Sequence, residues 1–263
     1  MVAASVTLSG QFRRSGWGRW GPPKFPEPGK ASPAFTFCRV MYDSVRREYG
    51  GYGWSTDYPA SDANFMIRLS ELTKTWVSED DRGDPDHVVV QLTDEALFDY
   101  PFIFMSDVGT VAFSDEEAER LRAYLLRGGF LWVDDFWGPQ AWDHWTAELA
   151  RALPPSVHPI VDLPLDHPLF RGLYQIEKVP QIPSIQFWRR NGGSTTSERG
   201  FNSAQPHFRG IADERGRLMV FMSHNTDIAD GWEREGEDED YFHRFSIDAY
   251  AVGVNVLIYA MTH

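Results

Sequence analysis

Acidic and histidine side chains follow three apolar segments of the chain, at the points where predicted strands end. Asp107 follows FIFMS, the adjacent Asp134 and Asp135 follow FLWV, and His224 and Asn225 follow MVFMS. In an open parallel sheet, ligands bind outside the carboxyl ends of the strands. Carboxylate and imidazole groups at such an edge suit acid–base or metal chemistry. The sequence therefore predicts a polar site here, with Asp107 among its ligand-binding residues.

The adjacent pair Asp134 and Asp135, in the segment VDDFWG, is the sharpest of these features. Successive residues of a strand point to opposite faces, so only one of the two carboxylates is expected to face a cleft. We predict that Asp135 is a catalytic group. Asp134 either binds the ligand or caps the helix that starts near Pro139. Trp137, in the same turn, is predicted to contact the ligand.

The segment SHNTD supplies a second set of candidates, His224, Asn225 and Asp227. A histidine with nearby carboxylates suits acid–base or metal work, whereas a solitary histidine in a turn is more often a hydrogen-bonded structural residue. We predict that His224 acts together with Asp135. Asn225 and Asp227 are predicted to bind the ligand.

Two further segments carry residues that suit ligand binding. Asp166 and His167 stand between prolines in LPLDHPLF, a turn that either presents His167 to a ligand or is a plain Asx-type turn. Residues 227–240 carry eight acids and are expected to form a solvated loop. Trp232 in that loop either stacks on a sugar or packs beneath the loop.

Motifs of the common cofactor-dependent and hydrolytic classes are missing from the sequence. There is no Walker A sequence, no GxGxxG after a predicted strand, no HExxH and no GxSxG. The acidic segment matches no EF-hand spacing. We therefore predict no cofactor and no metal site.

The elements that position these residues alternate along the chain. AFTFCRVMY, HVVVQL, FIFMS and FLWV are typical of buried strands, with helical patterns between them. This order predicts an α/β domain over residues 34–263, with an open, mostly parallel sheet flanked by helices. Residues 1–33, rich in Gly, Pro and Arg, are predicted to form a tail or strap.

Local signals also predict where helices and turns begin. Ser61 is expected to cap a helix that reaches about Thr75 and buries Leu72. Ser114 and Glu117 form a capping box at the start of another helix.

The second half of the chain is less regular. A hairpin is expected to turn at residues 213–216. The last helix is expected to be capped by Ser246, to reach Met261 and to be buried.

Composition narrows the partners and the compartment. A net charge of −13 argues against nucleic acid, because phosphate binding needs clustered Lys and Arg. The single cysteine, Cys38, excludes an internal disulfide.

No apolar run is long enough to predict a transmembrane segment. Residues 2–10 (VAASVTLSG) are either the remnant of a signal peptide or a cytosolic tail, so the location is either periplasmic or exported, or else cytoplasmic.

Several long segments resemble the bacterial DUF4159 family, from about Phe35 to His263. The segments are FTFCRVMYDS, TDYPASDANFMIRLSELT, LTDEALFDYPFIFMSDVG, FSDEEAERLRAYLLRGGFLWVDDFWG, LPLDHPLF and HNTDIADGWEREGEDEDYF. The resemblance implies a class I glutamine-amidotransferase-like, flavodoxin-like fold near the trehalose-utilisation-type branch. It also implies an exported protein with a role in the cell envelope.

In active amidotransferases of that fold, a cysteine stands on the turn after a central strand. The corresponding turn here, Asp134 to Gly138, has no cysteine. We therefore expect no glutaminase activity. Three functions remain open: a binding or scaffold domain for a small polar ligand or an envelope protein, an Asp/His-dependent hydrolase or carbohydrate-active enzyme with or without a metal, and a structural subunit of an assembly.

Overall fold

A computed structural model describes residues 22–27, 29 and 31–263. The predicted signal-peptide remnant in residues 2–10, and most of the predicted tail, lie outside the described residues. The described part of the tail contacts the domain: the carbonyl of Lys24 accepts a hydrogen bond from the backbone N–H of Val89, and the Lys24 ammonium pairs with Asp86.

The described strands form a seven-stranded sheet and a separate two-stranded one. In chain order they are β1 (Phe37–Met41), β2 (Asp43–Ser44), β3 (His87–Gln91), β4 (Phe102–Ser106), β5 (Val111–Ala112), β6 (Phe130–Phe136), β7 (Val161–Asp162), β8 (His207–Ala212) and β9 (Leu218–His224). The large sheet has the order β3-β1-β4-β6-β9-β8-β7. Its first five strands are parallel, and β8 and β7 are antiparallel additions at one edge. The prediction of a mostly parallel α/β sheet flanked by helices is confirmed.

Helices cover both faces of this sheet. They are α1 (Ala60–Leu72), α2 (Asp115–Leu126), α3 (Gly138–Ala152), α4 (Ile185–Arg190), α5 (Ile228–Glu233), α6 (Glu239–Tyr241) and α7 (Ile247–Thr262). On one face α1, α5 and α7 pack together over Phe37, Phe104 and Trp132. On the other, α2 and α3 pack over a second apolar cluster that includes Cys38.

The order of the strands creates a topological switch point between β1 and β4. After β1 the chain crosses by α1 to β3 on one side, and after β4 it crosses by α2 to β6 on the other. Connections that leave neighbouring parallel strands in opposite directions open a crevice at the carboxyl ends of those strands. The fold therefore places Asp107, directly after β4, beside this crevice.

Some of the predicted local signals are present in the structure. Ser114 accepts a hydrogen bond from the backbone N–H of Glu117, whose carboxylate accepts from the Ser114 N–H, so the capping box starts α2. The hairpin between β8 and β9 turns at Asp213, whose carbonyl accepts from the N–H of Gly216 and whose N–H donates to the carbonyl of Arg217.

The predictions for α1 were wrong at both ends. Ser61 lies inside the helix, where its hydroxyl accepts from Arg39 and donates to Asp62. Pro59 is the N-cap residue, and no side-chain hydrogen bond caps the helix there. The Ser61 hydroxyl therefore hydrogen-bonds to the buried ion pair of Arg39 and Asp62 instead of capping the helix. Leu72, expected inside, is 43% exposed and is the last residue of the helix.

The last helical segment is longer than predicted, and Ser246 does not cap it. Residues 242–246 form a π-helical turn that joins α6 to α7, so helix continues from Glu239 to Thr262. These 24 residues have a mean hydropathy of 1.3 in their most apolar window and could cross a membrane by length and composition. A buried core helix meets the same two criteria, so the expectation of no transmembrane segment stays a prediction. In the structure 61% of that window is buried within the domain, as in the core helix of a soluble protein.

The acidic segment 226–240 is not a solvated loop. It contains α5 and α6, and residues 226–232 are all buried. The Asp227 carboxylate caps α5 by accepting from the backbone N–H of Asp230 at 2.9 Å. Ile228 and Trp232, four residues apart, turn the same face of this helix toward the core. Its acidic side chains are consequently carried inside the domain.

Candidate functional site

Four residues at the carboxyl edge of the sheet have a left-handed backbone. In the described part of the chain the non-glycine residues with positive φ are Asp57 (63°), Asp107 (53°), Asp135 (53°) and Asn225 (62°). Asp57 lies in the loop between β2 and α1, Asp107 follows β4, Asp135 is the last but one residue of β6, and Asn225 follows β9. Such conformations cost of order 1–3 kcal/mol each and concentrate at functional sites. The backbone itself therefore indicates a site at this edge.

The turn at Asp135 changes which way the pair Asp134 and Asp135 points. The register between β6 and β9 shifts between Val133 and Phe136, and Asp135 is left-handed. Strict alternation therefore ends at Asp134, and both carboxylates lie close enough to Asp227 to raise the pKa of that group, behind the larger effect of burial. Asp134 is fully buried and accepts from the N–H of Ala229, whereas Asp135 is half-buried, so the expectation that only one of the two faces a cleft stays a prediction.

We call the acidic side chains gathered here the carboxylate cluster. Its members are Asp57, Asp107, Asp134, Asp135, Asp227, Asp230 and Glu233. One oxygen from each of Asp57, Asp135 and Asp227 lies within 4.8 Å of the other two. Asp57, Asp230 and Glu233 form a second set with the same spacing.

Uncharged donors orient these carboxylates. Asp107 Oδ2 accepts from the backbone N–H of Gly53 at 2.8 Å, and Asp134 Oδ2 accepts from that of Ala229 at 2.9 Å. Asp230 Oδ2 accepts from the Tyr241 hydroxyl at 2.8 Å. The glycine-rich loop after β2 fits tightly over Asp107, since a Cβ on Gly51 would lie 2.3 Å from Asp107 Oδ2. These contacts hold the acidic groups in place without neutralising them.

Positive charge in the cluster is scarce. Among the described residues, Glu233 pairs with Arg234 at 2.6 Å, and none of the six aspartates forms a salt bridge with Lys, Arg or His. Arg39, buried nearby, pairs with Asp62 at 2.6 Å and gives its other hydrogen bonds to Ser61 and to two backbone carbonyls. The charge of Arg39 is thus already matched.

Burial together with mutual repulsion favours the uncharged form of these groups. Burial raises the pKa of Asp107, Asp134 and Asp230 to about 7. It raises the pKa of Asp57, Asp135 and Asp227 well above the ordinary range, and neighbouring carboxylates add to the effect. These carboxyl groups therefore keep their protons to higher pH than ordinary aspartates do.

His224 does not join this cluster. Its Nδ1 lies 3.1 Å from Arg209 Nη1, and its Nε2 lies 3.3 Å from the carbonyl of Gly138. The ring packs against Phe136 and Trp142, and burial lowers the pKa of the imidazole to about 4. Both ring nitrogens are thus occupied, and in the described part of the chain no hydrogen bond joins His224 to Asp135, the residue with which it was predicted to act.

Asn225 contributes to the framework of the site. Its Oδ1 accepts from the backbone N–H of Gly138 at 2.7 Å, and its Nδ2 donates to the carbonyl of Gln205. The side chain thereby ties the end of β9 to the start of α3. These bonds do not test the predicted contact of Asn225 with a ligand, which stays a prediction.

Two predicted ligand-binding residues lie elsewhere. Trp232 is fully buried between Phe65 and Trp132, so the prediction that it stacks on a ligand was wrong. His167 accepts from Leu169 and packs on Tyr259, whose hydroxyl bonds to the start of β9. This is the amino edge of the parallel strands, opposite the cluster, so His167 cannot share the site.

A cleft of about 300 Å³ opens beside the cluster. The loop after β2, the start of α3 and the segment before β8 line it with Arg46, Arg47, Glu48, Tyr49, Trp137, Gly138, Pro139, Gln140, Arg199 and Asn202. Trp137, which the sequence predicted to be a ligand-binding residue, forms part of this wall. Three arginines and one glutamate give the cleft a positive balance on a protein with a net charge of −13.

Sequence reasoning missed the residues that come from irregular segments. Asp57 and the arginines of the cleft lie in loops with no periodicity, and nothing in the sequence marks them. Asp230 and Glu233 carried a usable signal, because Ile228 and Trp232 have the spacing of a buried helical face.

Comparison with known proteins gives the family and nothing finer. No curated protein sequence matches the chain. The family model described as a domain of unknown function, DUF4159, matches residues 36–261, which include every strand and helix of the sheet and of the candidate site. The chain therefore belongs to the DUF4159 family.

Proposed function

We propose that this chain is a binding domain that holds a small, phosphate-bearing molecule in the cleft at the carboxyl edge of its sheet. The observation that carries the proposal is the convergence of Arg46, Arg47 and Arg199 on one cavity. Guanidinium groups bind phosphate oxygens with paired, charge-assisted hydrogen bonds. The cavity is large enough for a small molecule, at the lower end of the usual range of ligand sites.

The arginines differ in how far they are already engaged. Arg46 donates to the carbonyl of Gly109, and Arg46 and Arg199 both pair with Glu48, which fixes their orientation. Arg47 is exposed and has no ion-pair partner among the residues that the structure describes. A ligand would therefore meet two positioned guanidinium groups and one free one.

The remaining walls suit the rest of such a ligand. The first turn of α3, a 15-residue helix, faces the cleft, and helix starts attract anions. Tyr49, 70% exposed, and Trp137 supply aromatic surface for a sugar or a base.

A binding role also agrees with the position of the cysteine. As part of this proposal we assign the domain to the class I glutamine-amidotransferase-like fold, on the resemblance and the strand order. The turn after β6 would then hold the nucleophile, and it carries Asp135. Cys38 lies fully buried in β1, where burial raises the pKa of its thiol. On the resemblance alone, we propose the bacterial cell envelope as the location.

Calorimetric titration with inorganic phosphate, a sugar phosphate and a nucleoside monophosphate tests the proposal, with the unphosphorylated sugar and nucleoside as controls. We expect saturable binding of the phosphorylated probes, weakened at least about tenfold by Arg47→Gln or Arg199→Gln, since each lost charge-assisted bond contributes 1.5–3 kcal/mol. Arg215→Gln, an exposed change in the β8–β9 hairpin, should bind like the wild type. An affinity that is unchanged by both arginine substitutions, or the absence of binding for every phosphorylated probe, would refute the proposal.

A further inference from the structure

We propose that Asp57, Asp135 and Asp227 form a binding site for a hard divalent cation, such as Mg²⁺, Mn²⁺ or Ca²⁺. The site is separate from the arginine cleft and is argued from different residues. Its three carboxylates come from the loop after β2, from the end of β6 and from the loop after β9. They converge only in the folded domain.

The spacing of the oxygens suits one shared ion. The three contributing oxygens lie within 4.8 Å of one another. Oxygen ligands at about 2.0–2.6 Å from Mg²⁺ or Ca²⁺ lie at most about 5 Å apart across the ion. Small rotations of the side chains are then enough to bring all three onto one cation.

Buried oxygens without partners give independent support. Asp134 is 0% exposed and Asp107 is 1% exposed. In the described part of the chain, however, Oδ1 of each has no hydrogen-bond partner. Asp57 Oδ2 is a third buried oxygen without a partner. A buried polar atom without a partner costs roughly 1–3 kcal/mol, and more when it is charged. Such atoms therefore indicate that something that binds oxygen belongs next to them.

The two fully buried carboxylates adjoin the proposed ligands. Asp107 is the strongest charged neighbour of Asp135, and Asp134 acts on both Asp135 and Asp227. In this proposal their unpartnered oxygens accept hydrogen bonds from water molecules on the ion. Mg²⁺ in particular keeps several of its waters when a protein binds it.

The donor set determines the class of metal. Among the described residues, the three grouped ligands are all carboxylates, with none of the thiolate or imidazole ligands that favour zinc or copper. Asp57 and Asp135 are half-buried residues and Asp227 is buried. The second acidic set, which shares Asp57 with Asp230 and Glu233, is the poorer candidate because Arg234 already pairs with Glu233.

Calorimetric titration of the chelator-treated full chain with MgCl₂, MnCl₂ and CaCl₂ tests the proposal, with KCl at matched ionic strength as the control. We expect saturable binding of one ion per chain for at least one metal, with a rise in Tm. Asp135→Asn and Asp227→Asn should each weaken binding by at least about tenfold, as even the loss of an outer-shell partner does. Asp240→Asn, an exposed change of the same charge in the same acidic segment, should bind as the wild type does.

Folding of the variants can be judged separately. Removing one charge from a crowded, buried cluster should leave the Tm of the metal-free protein unchanged or raise it. A variant that is at least as stable as the wild type but no longer responds to metal supports the site. The absence of saturable binding for all three metals, or unchanged binding in both variants, would overturn it, whatever the phosphate titrations show.

Discussion

The indole Nε1 of Trp137 donates a 2.9 Å hydrogen bond to Oδ1 of Asp135. This bond joins the two parts of the candidate site, because Trp137 lines the arginine cleft and Asp135 belongs to the carboxylate cluster. The donor is neutral and holds one oxygen of Asp135 while the other remains for a ligand. Outer partners of this kind orient metal-binding carboxylates.

Replacing Trp137 by phenylalanine should therefore affect the two parts differently. The variant keeps an aromatic wall in the cleft but loses the bond to Asp135. We expect divalent-cation affinity to fall about tenfold, with phosphate affinity nearly unchanged, both measured by calorimetry. Equal losses for both ligands would show that Trp137 acts by shaping the whole region instead.

The buried ion pair between Arg39 and Asp62 should be essential for stability. Both side chains are fully buried, and Arg39 is bonded at every nitrogen. Asp62→Asn leaves a buried guanidinium without its counter-charge, and we expect a loss of about 3–5 kcal/mol in the free energy of unfolding, measured by guanidinium chloride denaturation.

The exposed pair of Arg82 and Asp80 provides the matched control for that experiment. The Arg82 side chain is 79% exposed and its bond to Asp80 is 3.3 Å long. Arg82→Gln should cost less than about 1 kcal/mol. A similar loss from both substitutions would contradict the special role of the buried pair.

Trp232 should contribute to folding and not to ligand contact. Its ring packs against Phe65, Trp132 and Phe104 in the core. Trp232→Ala should lower the free energy of unfolding by about 3–5 kcal/mol through loss of buried surface and a remaining cavity. Trp76→Ala, at a position 69% exposed, should have little effect on chemical denaturation. A Trp232→Ala protein that keeps its stability but binds phosphate more weakly would instead indicate that Trp232 contacts the ligand.

His224 should make the domain sensitive to mild acid. Burial lowers the folded-state pKa to about 4, while the unfolded chain protonates near the usual value of about 6.5. Between these values the unfolded state binds more protons, so stability falls as pH falls, by up to about 3 kcal/mol at pH 4. The stabilising contribution is complete above about pH 6.5.

Urea denaturation across that pH range, with and without His224→Gln, measures this effect. The buried carboxyls, whose pKa values are raised, act in the opposite sense over the same range in both proteins, so His224 is isolated by the difference between them. Glutamine does not titrate, so the wild type should lose up to about 3 kcal/mol more of its unfolding free energy than the variant between pH 6.5 and pH 4. His158→Gln is the control, because that imidazole lies at a half-buried position outside the sheet. Identical slopes for wild type and His224→Gln would refute the assignment.

Several features of the fold were predictable because they depend on neighbours in the chain. The continuous apolar run before Asp107 can only be a buried strand, and Ser114 with Glu117 is sufficient to start a helix. From these elements the parallel sheet follows, and with it the expectation that Asp107 and Asp135 lie at one edge. The capped turn at Asp213 is equally local.

Features that depend on distant segments were not predictable. Acidic residues 227–240 were expected to be solvated because charge usually is, yet the apolar face of α5 is drawn into the core and carries Asp227 and Asp230 inside with it. His224 is the last residue of β9, which pairs with β6, the strand of Asp135. Its ring, however, bonds to Arg209 and packs on Trp142 of α3. No local pattern records either outcome.

The sequence by itself determined the class of the fold and the edge at which polar side chains collect, since both follow from strand and helix patterns along the chain. The family follows from the similarity of long segments to DUF4159. Only the tertiary structure decided which side chains meet there. It brought Asp57 to Asp135 and Asp227, placed His224 and His167 elsewhere, and formed a cleft from arginines in separate loops. The physical reason is that the path of a loop is selected by long-range packing, and no short stretch of sequence contains that information.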